Sequence, residues 1–156
     1  MPIALETSGF HEWDAPLNPV PALGIDSTRL DEVIAYYHEK PFRGLFGHKS
    51  FGFDQGDLDF LAHTSNATYL WLWDVTLDDI DGIYSLTELA YTGIHPKRPG
   101  IDFSLLPSLR TVVNHWIKAD KGISSSTIVD YNLWYYKPRS KSFDGLEIPS
   151  GVERLE

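Results

Sequence analysis

The sequence predicts an α/β solenoid with a short parallel β-sheet along its inner face and a helical cap at its N-terminal end. Two observations carry that expectation. A short apolar pattern recurs through the second half of the chain, and one amphipathic helix precedes it. Composition adds a third, because 42% hydrophobic and 22% charged residues describe a folded chain with a core. At 156 residues, one domain is expected over 1–156, with 1–41 as an N-terminal segment and capping helix and 42–156 as repeats.

The first 26 residues hold Pro2, Pro16, Pro19 and Pro21 together with Gly9 and Gly24, which reads as extended, irregular chain. Phe10 and Trp13 give this segment something to pack with. Asp26, Ser27 and Thr28 then offer N-cap oxygens, and Asp31 and Glu32 place negative charge in a first helical turn. Leu30, Val33, Ile34 and Tyr37 follow at i, i+3, i+4 and i+7, so one face is apolar. Pro41 ends the helix, which is expected over 28–39. Phe42 and Leu45 suggest a weak early repeat, diluted by Gly44, Gly47 and Gly52. The run Asp57 to His63 reads as a short helix.

The repeats come next. Ala67, Leu70, Leu72 and Val75 form the first, and Leu86, Leu89, Tyr91 and Ile94 the second. Leu109, Val112, Asn114 and Ile117 form the third, and Ile128, Tyr131, Leu133 and Tyr136 the fourth. Val152 and Leu155 start a fifth that the sequence does not finish. The starts are 19, 23, 19 and 24 residues apart, a period at which each repeat supplies one strand and a return segment. Positions four and six of each repeat would point into the core. The returns are expected to hold Leu77, Ile80 and Ile83, a surface loop from His95 to Gly100, a helical turn near Phe103, and the anchors Phe143, Leu146 and Ile148.

This spacing resembles the leucine-rich repeat family, whose pattern places apolar residues at one, four, six and eleven, with Asn or Cys at nine. Leu70-Trp71-Leu72, Leu89-Ala90-Tyr91 and Leu133-Trp134 fall at or beside the matching strand positions, and Leu77 matches position eleven. The resemblance covers about 67–156 and implies an irregular, bacterial-style member. Position nine is Val75, Ile94, Ile117 and Tyr136, never Asn, so the family's buried Asn ladder must be absent or replaced. Asn114 is polar where the pattern is apolar.

In that register the outward positions are Tyr69, Trp71, Trp73 and Asp74, then Glu88, Ala90, Thr92 and Gly93. Thr111, Val113, His115 and Trp116 follow, then Asp130, Asn132, Trp134 and Tyr135. Four of the five Trp share this surface. Trp and Tyr are the rings most used as binding hot spots, so the aromatic face is the expected partner site. Asp74, Glu88 and Asp130 would steer a basic partner.

A net charge of −9 disfavours nucleic acid and anionic membranes as partners and leaves room for a basic protein. There is no Cys, hence no thiolate site, and no apolar run long enough to span a bilayer. Met1 to Gly9 lacks a basic-then-apolar leader, which points to the cytoplasm. The six His show no i, i+4 pair, and no nucleophile elbow or phosphate-binding glycine loop is present, so no catalytic, cofactor or metal residues are expected. A triad of His115 with Asp74 or Asp130 and one of Ser124 to Ser126 is disfavoured, because those serines lie on a return segment.

The expected function is therefore a non-enzymatic protein-binding module, with an inhibitory or toxin-neutralising role as the analogy of size and charge. Carbohydrate binding by the same Trp faces is the alternative. A second copy or another chain is expected to cover the unfinished last repeat.

Overall fold

The computed structural model describes residues 4–13 and 20–156. Pro2, Pro16 and Pro19 lie outside the described residues. Among the described residues, nine strands form one open sheet whose spatial order is the chain order. They are β1 (Ala4–Leu5), β2 (His11–Trp13), β3 (Ala22–Gly24), β4 (Gly44–Gly47), β5 (Tyr69–Thr76), β6 (Tyr91–Lys97), β7 (Thr111–His115), β8 (Asp130–Trp134) and β9 (Arg154–Leu155). β1 to β3 pair antiparallel, and every pair from β3 to β9 is parallel. Each parallel connection thus steps to the next position.

The helix α1 spans Leu30–Glu39, preceded by a 3-10 turn at Ser27–Arg29. Asp26 accepts from the backbone N–H of Thr28 at 3.0 Å and from its hydroxyl at 2.7 Å, satisfying a donor that the helix start leaves open. Val33 and Tyr37 are buried beneath β3 and β4 with Leu23, Ile25 and Leu45. The helix does not close the first edge of the sheet. That edge continues into β2 and β1, which sequence reading left as irregular chain because so few residues there alternate.

Leu45, Leu70, Thr92, Val112, Tyr131 and Leu155 lie side by side along the sheet. Leu70, Leu72, Ile94, Val112 and Tyr131 point into one core, shared with Leu77, Ile80 and Ile83 from the first return. Burying each such side chain contributes about 1.5–3 kcal/mol. The weak early repeat is a full strand, β4, in register with β5.

Three expectations are corrected. The second repeat is displaced by three residues. Leu70 pairs with Thr92 and Tyr69 with Tyr91, so Leu89 occupies position one rather than four. An odd slip exchanges the two faces of a strand. Tyr91 therefore turns outward, and Thr92 turns into the core, 1% exposed. The apolar template selected Leu86, Leu89 and Tyr91 because the true inward pair is Thr92 and Ile94, with Gly93 between them. The final return is also different, since Phe143 is 77% exposed and Ile148 half-exposed, so neither is buried in the core, and Phe143 instead stacks on Tyr136 outside it.

The expected surface loop from His95 to Gly100 is only partly at the surface, since Pro96 and Lys97 are exposed but His95 and Arg98 are buried. β6 runs on to Lys97, and the side chains of Arg98 and Asp120 are each 1% exposed. The Arg98 guanidinium donates to both Asp120 oxygens, at 2.7 and 2.9 Å. It also donates to the Ile94, Pro99 and His115 carbonyls, at 3.2, 2.9 and 3.3 Å, and to Asn114 Oδ1 at 2.8 Å. Asn114 Nδ2 donates to Asp120 Oδ2 at 3.2 Å and to the Tyr131 hydroxyl at 3.0 Å. Asp120 Oδ1 further accepts from the Ile101 N–H at 3.0 Å. This accounts for a polar residue at an apolar position. Asn114 belongs to a network tying β6, β7, β8 and two returns together.

Candidate functional site

The sheet face opposite the core is aromatic along most of its width. Its N-terminal part is covered by the chain itself. Trp13 meets Phe46 and Tyr69 edge-on, with centroids at 5.9 and 6.1 Å, and Ala22 completes this buried cluster. Tyr69 stacks on Tyr91 at 4.9 Å. Burial pushes the Tyr69 hydroxyl far above its ordinary pKa, and raises that of Tyr91 as well.

Further along, the rings change character. Trp71 lies across Gly93, where an added Cβ would sit 2.4 Å from the indole. From there Trp71 meets His95 at 4.9 Å and Trp134 at 6.4 Å, both edge-on. His95 lies 5.2 Å from Trp134, His115 stacks on Tyr135 at 4.8 Å, and His48 meets Trp73 at 5.3 Å. Trp73, Trp134 and Tyr135 remain 52%, 40% and 61% exposed. Together with Asp74, Pro96 and the three imidazoles they line an open cavity of about 500 Å³. Asp74 and Tyr135 each adopt positive φ, +54° and +56°, Asp74 within the register shift of β5 and Tyr135 one residue past the end of β8.

His95 is the buried centre of the cluster, 3% exposed, and its Nε2 makes no hydrogen bond within the protein. Its pKa is lowered from 6.5 to about 4, first by burial and then by His115 and Arg98. His115 is lowered too, mainly by burial. The His95 ring is therefore neutral near pH 7 and packs as an aromatic.

Of the residues proposed from sequence, Trp71, Trp73, Asp74, His115, Trp134 and Tyr135 converge here. Tyr69 belongs to the covered cluster. Glu88 precedes β6 and pairs with Arg43 at 2.6 Å. Asp130 pairs with Arg154 at 3.5 Å, and Asn132 donates to Glu156 at 2.9 Å. Trp116 leaves the face, meets Tyr136 at 4.9 Å and lines another cavity. His48 and His95 were missed. Their signal was a position in the same outward row as Trp73 and His115, hidden for His95 by the slipped second repeat and for His48 by the weakness of the early repeat that precedes it. Ser125 and Ser126 donate to the Gly122 and Ile123 carbonyls, and Ser124 Oγ lies 3.2 Å from Glu147, so none faces an imidazole. Among the described residues no cluster of His and acids is arranged to hold a metal, and no helix is long and apolar enough to cross a membrane.

Gly93 gives a direct test of this packing. Gly93→Ala is expected to displace the Trp71 indole rather than backbone. That places the cost at the low end of overpacking, about 1 kcal/mol. Intrinsic tryptophan emission should shift with it, and an unchanged spectrum would show that Trp71 does not depend on the missing side chain.

No family model matches the chain, and no curated protein or solved structure shows detectable similarity to it.

Proposed function

We propose that the chain is a non-enzymatic binding module, a short solenoid of leucine-rich-repeat type that takes a protein partner on the open half of its aromatic face. The observation that carries this reading is the exposure of Trp73, Trp134 and Tyr135 around one cavity, on a sheet whose opposite side is a packed core. Large exposed rings on a rigid support lose little entropy on binding and supply most of the energy at interfaces. The stepwise parallel order and the parallel register from β3 to β9 support the solenoid reading.

The partner's charge is set more by the whole chain than by the groove. Glu88 and Asp130 are held by Arg43 and Arg154, which leaves Asp74 as the acid beside the rings. The net charge of −9 steers a basic protein over longer range, the arrangement that suits a small inhibitory or immunity-type binder.

Affinity capture with wild type beside Trp73→Ala/Trp134→Ala, followed by titration of the captured protein, tests the proposal. Each ring is expected to be worth at least about tenfold in affinity. Equal binding by the double variant overturns the site. Selective binding of wild type to a glycan array, with no protein captured, replaces the partner class by carbohydrate.

A further inference from the structure

We propose that a second cavity, at the carboxyl ends of β7 and β8, binds a small organic anion that carries a flat ring. The cavity measures about 640 Å³, and Trp116, Tyr136, Lys118, Lys137 and Arg139 form its walls together with Asp144. That volume lies in the range of small-molecule sites.

Charge is the first argument. The chain has 22 acidic residues against 13 basic ones, yet five of the 13 lie between Lys118 and Lys141. Of these, Lys121 is paired with Asp102 at 3.4 Å. Among the described residues, Lys118, Lys137 and Arg139 enter no ion pair, although acids outnumber bases in the chain. Lys118, Lys137 and Arg139 are exposed around one cavity, Lys137 also lying over the Tyr135 ring at 5.9 Å, and an anion there meets three cations against the single carboxylate of Asp144. A guanidinium and two ammonium groups are the donors that carboxylate and phosphate accept most strongly.

The rings are the second argument. Trp116 meets Tyr136 edge-on at 4.9 Å, and Tyr136 stacks on Phe143 at 5.6 Å. The Tyr136 hydroxyl donates to the Ser142 carbonyl at 3.0 Å. That bond and the stacked ring hold the 137–143 segment over Tyr136, so the cationic wall is formed before a ligand arrives. A flat ligand ring gains stacking area on the Trp116 side while its anionic group reaches the cations. A long polyanion is disfavoured, because beyond about one Debye length it meets the acidic remainder of the protein.

The test uses adenosine monophosphate and 4-hydroxybenzoate as phosphate- and carboxylate-bearing probes, with adenosine and phenol as uncharged controls. The readout is the Trp116 indole resonance in a ¹⁵N-correlated spectrum. At least one anionic probe is expected to shift it saturably, about tenfold more tightly than its control. Lys137→Gln/Arg139→Gln should weaken that binding about tenfold or more, and Lys118→Gln supplies an independent variant if the double one is poorly folded. Which anion binds identifies the preferred group. Wild-type affinity in folded variants, or no shift from either anion up to about 10 mM, overturns the proposal.

Discussion

Replacing Asp120 by Ala is expected to cost the fold about 3–5 kcal/mol, the range for removing one partner of a buried ion pair. The size follows from what is left behind. The Arg98 side chain is 1% exposed, and its charge would lose both carboxylate contacts while staying out of water. The Ile101 N–H and the Asn114 amide would lose acceptors at the same time. Carbonyls of Ile94, Pro99 and His115 would remain around the guanidinium, but they cannot neutralise it. Arg98→Met/Asp120→Leu should recover a large part of the loss, because an apolar pair of similar volume leaves no uncompensated charge. Denaturant midpoints read both variants. An Asp120→Ala loss below about 1 kcal/mol would show that water reaches Arg98 and that the network does not clamp β6 to β7.

That network is where the sequence was least readable, for a physical reason. Arg, Asn and Asp mark solvent in any apolar template, and only tertiary placement reveals them as a closed hydrogen-bonded set. Arg98, sitting between Lys97 and Pro99, looked like part of a surface loop. Asn114 looked like a flaw in its repeat. Arg98, just past the end of β6, brings its guanidinium to the Ile94, Pro99 and His115 carbonyls, and Asn114 joins it from β7.

The helix was legible because its cap, its charges and its apolar period all agree, and the observed element differs from 28–39 only in its opening 3-10 turn. Strands β5, β7 and β8 were legible for the same reason of agreement between levels. β6 failed on one residue. Thr92 is polar, so the template slid to the neighbouring apolar triplet and carried Tyr91 to the wrong face. The candidate site inherited that error in part. Trp71, Trp73 and Trp134 come from β5 and β8, where Trp71 meets Trp134 and Trp73 lines the same groove as Trp134. His95 comes from β6 and was lost to a loop. Trp116 lies one residue past the end of β7, where alternation no longer determines direction, and it turned to a different cavity.

Acidification is expected to loosen the fold through His95 before the carboxylates of the surface are protonated. The folded-state pKa of about 4 lies below the ordinary 6.5, so the unfolded chain binds the proton more readily. Stability is then fully present above about pH 6.5 and falls as pH drops through the folded value. The displacement corresponds to about 3 kcal/mol. Most of that amount is expected to be lost by about pH 4. His115 and Arg98 oppose the extra charge, Asp120 already being engaged by Arg98, while Asp74 lies across the groove near His48. His95→Phe keeps an aromatic ring in place, removes the unpartnered nitrogen and cannot titrate. The wild-type minus variant difference in unfolding free energy should therefore decline between about pH 6.5 and pH 4, with other groups cancelling. A flat difference would mean that the imidazole reaches solvent in the folded state, and the aromatic face would then be more open than its packing shows.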